Sequence, residues 1–205
     1  MTQPNDSIAG LTDTIANVES LVTSVRLKPL LHSRVVVDGL ELRGAQINTA
    51  QFIADTRIKA RIGRLSLRSD GVDLTKSLAH VNVAMLQNAS VDVALGDSVP
   101  PDTTPSRNFW KIMISRLQLS KTAFAVHMPG DSMRITSYFG SAEARGARLL
   151  LHDGQYEVAS LDWHNGSLSY DRPFEPLARK GFDANHIALT QLNIGLDSFS
   201  YLKPN

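Results

Sequence analysis

The chain has 205 residues, with 21 Lys plus Arg against 20 Asp plus Glu and no cysteine. That length can bury a real core, and the even charge balance gives no hint of the basic stripe a nucleic-acid binder carries. The absence of cysteine excludes a disulfide framework and thiolate metal or redox chemistry, and no run approaches the ~18 apolar residues of a membrane span.

The first residues, Met1 to Asp6, have no basic region followed by an apolar one, so they do not read as a signal peptide. An exported or anchored protein would therefore include more than this chain. In the N-terminal segment, residues 1–24, Ser7 can cap a short helix with Ile8, Leu11, Ile15 and Val18 on one face. After it, Val25, Leu27 and a Pro29-Leu30-Leu31 turn lead into a strand at Val35–Val37.

From there one pattern recurs: two alternating apolar residues, a gap of four, and two more. Leu40-Leu42 with Ile47-Thr49 fits it, as do Leu65-Leu67 with Val72-Leu74 and Ala84-Leu86 with Val91-Val93. Leu117-Leu119 with Phe124-Val126 and Ala142-Ala144 with Leu149-Leu151 follow. Leu161-Trp163 with Leu168-Tyr170 and Leu192-Ile194 with Phe199-Tyr201 complete the series. The motifs start at 40, 65, 84, 117, 142, 161 and 192, so the block from about 34 to 95 recurs 77 residues later, from about 111 to 172. A third block begins near Ile187. Sliding one block on the other without gaps superposes Arg57 on Arg134, Gly63 on Gly140, Asn88 on Asn165 and Ser90 on Ser167. This is an internal structural repeat.

Period-2 spacing places the apolar positions on one face of a strand and the residues between them, such as Glu41, Ser66, Gln118 and Asp162, on the other. The gaps carry Asp70-Gly71, Asn88 and Asn165-Gly166, residues that accept positive φ. Each motif thus reads as a hairpin, or alternatively as one strand with a bulge. Pro-rich polar loops at 96–108 and 171–185 sit at the seams of the repeat rather than between domains. The expected fold is all-β: a repeated antiparallel meander over residues 25–205 that lays down one long apolar face. Burying a Leu, Val or Phe stabilises by roughly 1.5–3 kcal/mol, so the apolar face needs a cover. The N-terminal helix is too short, which leaves a packed sandwich or an open groove.

No catalytic constellation stands out. The six histidines are dispersed without metal-ligand spacing, and nucleophile-elbow, phosphate-loop and dinucleotide motifs are absent. Asp70-Gly71-Val72-Asp73 lacks the alternating ligands of a calcium loop. The Asn-x-Ser matches at Asn88 and Asn165 occupy one place in the repeat, where turn geometry already asks for those residues. Trp110 and Trp163 read as core side chains before binding ones. The chain is read as non-enzymatic, without metal or cofactor.

A family resemblance gathers these features. Val25-x-Leu27-x-Pro29-Leu30-Leu31, then Val35-x-Val37-Asp38-Gly39-Leu40-x-Leu42-x-x-Ala45-x-Ile47, resembles the opening of AsmA-like proteins. Trp110-Lys111-Ile112-x-Ile114-x-x-Leu117-x-Leu119-x-x-Thr122-x-Phe124-x-Val126 resembles the recurring unit of their TamB (translocation and assembly module) branch. Asp131 to Arg134 and Gly181 to Ile187 are similar to the large Bacteroidetes members. The resemblance implies an N-terminal portion of a periplasmic protein held in the inner membrane by a helix missing from this chain. It also implies a taco-shaped β-groove that shields phospholipid acyl chains in transit between inner and outer membranes. A TamA-type outer-membrane barrel would be engaged through regions outside the chain. Such a groove would be lined by Leu40, Leu42, Leu65, Leu67, Leu117, Leu119, Phe124, Trp163, Leu168 and Phe199. The competing expectation is an assembly scaffold for outer-membrane proteins, with a packed β-sandwich core and no lipid.

Overall fold

A computed structural model describes residues 2–4, 12–14, 16–26, 34–49, 56–73, 77–95, 110–128, 132–150 and 155–202. All of its regular structure is strand. β1 (Thr2–Pro4) and β2 (Thr12–Thr14) form a small separate pair. The rest is one ten-stranded sheet built from β3 (Ala16–Arg26), β4 (Arg34–Asn48), β5 (Thr56–Asp73), β6 (Leu78–Leu95), β7 (Lys111–Met128), β8 (Met133–Leu150), β9 (Gln155–Val158), β10 (Ser160–Asp171), β11 (His186–Leu196) and β12 (Phe199–Leu202). Its order is β3-β4-β5-β6-β7-β8-β10-β11. β9 pairs with β8 above β10, and β12 pairs with β9. The all-β meander expected from the apolar periodicity is the fold. The sheet also takes in Ala16–Arg26, upstream of the residue at which the repeat becomes legible.

The central strands are long. Four of them run 18 residues, roughly 60 Å at 3.3 Å per residue. The first six apolar motifs therefore each run along one strand with a bulge and not a hairpin, while the seventh divides between β11 and β12. A two-residue hairpin turn of the Asn-Gly kind needs positive φ at two consecutive positions. Asn88 (φ 50°) and Asn165 (φ 50°) adopt it singly, between neighbours that stay extended. One left-handed residue does not reverse a chain; it inserts an extra residue and shifts side-chain parity. Since 86 and 91 differ by an odd number, only that shift returns Leu86 and Val91 to the same face.

These irregularities line up across the sheet. Gly44 on β4 (φ 58°), Asn88 on β6, Lys121 on β7 (φ 47°), Asn165 on β10 and Gln191 on β11 (φ 55°) mark one row. β5 and β8 meet that row with Gly63 and Gly140. A Cβ on Gly63 would lie 2.9 Å from the Cβ of Asn88, and one on Gly140 would lie 2.7 Å from the carbonyl oxygen of Asn165. The superposition of Gly63 on Gly140 and Asn88 on Asn165 thus has a steric cause. Each Asn backbone leans onto its neighbouring strand where only glycine leaves room.

Two further expectations are corrected. The segment read as a helix from Ser7 to Val18 is strand wherever it is described, at Thr12–Thr14 and from Ala16 on; Ser7, Ile8, Leu11 and Ile15 lie outside the described residues. An isolated helix of that length is marginal, whereas Ala16, Asn17 and Val18 pair with Ile47, Gln46 and Ala45 of β4. The meander is also not antiparallel throughout: β6 and β7 run parallel, from Leu78 beside Lys111 to Ala94 beside His127. A parallel neighbour needs a crossover of about a dozen residues or more. The Pro-rich stretch between Leu95 and Lys111 has that length, while 129–132 between β7 and β8 serves a simple reversal.

Candidate functional site

The register converts scattered apolar positions into continuous rows. Leu21, Leu42, Leu65, Leu86, Leu119, Ala142, Trp163 and Ile194 are consecutive cross-strand partners over eight strands. Beside them run Leu40, Leu67, Ala84, Leu117, Ala144, Leu161 and Leu196. Beyond the bulge line, Ile47, Ala60, Val91, Phe124, Ser137, Leu168 and Leu189 form a third row. Nine of the ten side chains expected to line a groove fall in these rows. The tenth, Phe199, pairs with Val158 at the far edge, next to Tyr201 stacked on Tyr156 at 6.0 Å.

This face has no second described layer. Its buried apolar residues are alanines (Ala45, Ala60, Ala89, Ala142, Ala147) and Trp163; the described Leu, Ile, Val and Phe side chains are half-buried or exposed. Small side chains are covered by their own neighbours in a single layer, whereas large ones need a layer above. At ~4.8 Å between strands and ~3.3 Å per residue, the three rows and the bulge line between them span roughly 1,000 Å².

Trp163 is the exception in this face. It is 7 % exposed, and its Nε1–H donates to the Tyr138 carbonyl at 3.2 Å. The ring lies over Gly166, where a Cβ would come within 2.1 Å of Nε1. Phe139 stacks on Trp163 at 4.5 Å, and Phe124 meets Phe139 edge-on at 5.8 Å. Trp163 is thus a filler of the face as well as part of its surface. Sequence reading missed Phe139, because it precedes the bulge and falls outside the ten-residue motif; its superposition on Ile62 in the repeat was the available signal. Beside it, Thr122 is wholly buried, its hydroxyl shared between the carbonyls of Ser120 (3.1 Å) and Leu86 (3.3 Å) freed by the bulge.

The opposite face is polar and charged. Glu41 bridges Arg43 at 2.6 Å and Arg64 at 3.0 Å, and hydrogen bonding from Arg43 holds its carboxyl below the usual range. Glu143 accepts from Gln118 and Arg145, with Arg116 nearby, and is held low for the same reason. Such carboxylates are poor proton donors near neutral pH. Among the described residues, no group of three or more His, Asp or Glu is arranged to hold a metal ion, and no helix is long and apolar enough to cross a membrane. No known family model and no curated protein sequence matches the chain.

Proposed function

We propose that this chain is a segment of a TamB/AsmA-like envelope protein that carries phospholipid acyl chains along the apolar face of its sheet, between inner and outer membranes. One observation carries the reading: an apolar row continuous over eight strands, flanked by two rows over seven, with no described layer upon them. A bulge in each strand keeps those rows on one side, so the backbone itself serves the continuity of the face. The periplasmic location, the inner-membrane anchor and the barrel partner are parts of the same proposal and come from the resemblance of the sequence.

The face test uses neighbours on opposite sides of one strand. Photo-crosslinking residues at Leu42, Leu119 and Leu168 capture phospholipid in cells, while the same probes at Glu41, Gln118 and Ser169 do not. Capture from the polar set alone, or from neither, rejects the proposal. A scaffold role is favoured by a different observation, the outermost strands β3 and β11, each of which pairs with one neighbour among the described residues. Leu21, Val22 and Leu189 are exposed there, and an edge strand can take up another strand. Native mass spectrometry separates the two readings: bound lipid supports transport, and lipid-free protein joined to a β-rich client supports the scaffold.

A further inference from the structure

The loop between β10 and β11 is not absorbed by either reading. Composition marks residues 171–185 as a polar, Pro-rich connection, yet in the fold residues 172–185 are an ordered loop that holds large apolar side chains in water. Its base is closed by the Arg172 N–H donating to the Asn185 carbonyl at 2.9 Å, and a turn follows in which Glu175 N–H donates to the Arg172 carbonyl at 2.9 Å. Asp183 organises the interior, accepting from the N–H of Ala178 at 2.9 Å through Oδ2 and from the N–H of Asn185 at 3.0 Å through Oδ1. The Asp183 carboxylate also sits 3.3 Å from the His186 ring. This is a compact loop packed on its own polar groups.

Outward it presents Phe174 at 83 %, Leu177 at 72 % and Phe182 at 80 % exposure. Between Leu177 and Phe182 stand Arg179 and Lys180, both exposed and neither with an acidic partner among the described residues. A protein partner would have to offer a separate pocket to each of three protruding side chains. The boundary between lipid headgroups and acyl chains takes in such side chains without shape matching, and its phosphates attract interleaved cations when the lipids are anionic.

We propose that the loop from Arg172 to Asn185 docks on an anionic bilayer surface. Phe174, Leu177 and Phe182 enter the headgroup boundary, and Arg179 and Lys180 lie against lipid phosphates. The proposal does not require the sheet face to carry lipid. The loop does stand at the end of the sheet where Tyr170 pairs with Ile187, two residues beyond the Leu168–Leu189 pair that ends the third row, so a bilayer bound there would meet the mouth of that face.

The test is flotation of the chain with vesicles of phosphatidylglycerol and phosphatidylcholine, and with phosphatidylcholine alone. The chain is expected to float with the mixed vesicles and far less with the neutral ones. Arg179→Glu with Lys180→Glu should weaken binding about tenfold or more, and added salt should weaken the wild type. The triple change Phe174→Ser, Leu177→Ser, Phe182→Ser should abolish flotation while circular dichroism and the unfolding midpoint stay unchanged, because these side chains lie outside the sheet. No flotation of the wild type, or equal flotation of wild type and both variants, overturns the proposal. So does loop-dependent self-association in sedimentation without lipid, which would assign the loop to a second copy. Lipid co-purified with the same variants is measured separately and reads the sheet face, so failure of one proposal does not stand for failure of the other.

Discussion

The two repeat blocks, β4–β6 and β7–β10, share a backbone and differ in what they put on it. Where the first has Ile47, Ile62 and Leu86, the second has Phe124, Phe139 and Trp163, each 77 residues on. These are the three aromatic rings in mutual contact on the apolar face. On the polar face the first block carries Lys59, Arg61 and Arg64 where the second has Thr136, Tyr138 and Ser141. The glycines opposite the bulges are the same in both. Steric demands of the backbone are met identically, while the faces, which only need to stay apolar or polar, diverge. The first block is aliphatic and basic, the second aromatic and mixed.

That contrast breaks most visibly at the residue pair with the largest difference in size. Trp163→Ala removes a buried ring and is expected to cost about 3–5 kcal/mol. Leu86→Ala, at a half-buried aliphatic position, should cost about half as much or less. Urea unfolding of both variants checks the order; equal losses would mean the aromatic cluster adds nothing to the second block. The shared bulge comes next. Gly140→Ala should cost about 1–3 kcal/mol, and Gly63→Ala less, because its nearest obstacle lies at 2.9 Å instead of a backbone oxygen at 2.7 Å.

A smaller effect of opposite sign is expected at the position shared by Gly44 and Lys121, both left-handed. A side chain there costs roughly 1–2 kcal/mol, against about 0.5–1 kcal/mol for the entropy of glycine. Lys121→Gly should therefore stabilise by about 0.5 kcal/mol, read from the shift in unfolding midpoint. The most local effect concerns the loop that ends the second block. The backbone N–H of Ala178, with that of Asn185, holds the Asp183 carboxyl below its ordinary value of 3.8. A depressed carboxyl contributes its stability above the unfolded pKa and loses it as pH falls through the folded one. The protection of the Ala178 and Asn185 amides relative to their intrinsic exchange rates should be constant near neutrality and fall only below pH 3.8, while that of Thr122 in the sheet is kept.

Much of this was legible in residue spacing. The alternation of Leu40-Leu42, Leu65-Leu67 and Leu117-Leu119 specified strands with one apolar face, and nine of the ten proposed lining residues do share rows on that face. The bulges were only half legible, since Asn and Gly with positive φ serve a tight turn and a bulge equally. Phe139 escaped because parity changes at the bulge, and a motif counted across the break cannot see which side of it a residue faces. Exposure of Phe174, Leu177 and Phe182 could not be read, because a Pro-rich composition marks a loop without saying what it presents.

By itself, then, the sequence determined the β class, the 77-residue repeat and the identity of the apolar positions. These depend on contacts between residues two apart and on local backbone sterics. Only the tertiary structure decided that six of the seven motifs are single bulged strands, that Ala16–Arg26 joins the sheet, and that β6 and β7 lie parallel. Each of these rests on which strand supplies the hydrogen-bond partners, and the energy of that choice is shared between residues as far apart as Leu86 and Leu119. Spacing along the chain does not carry it.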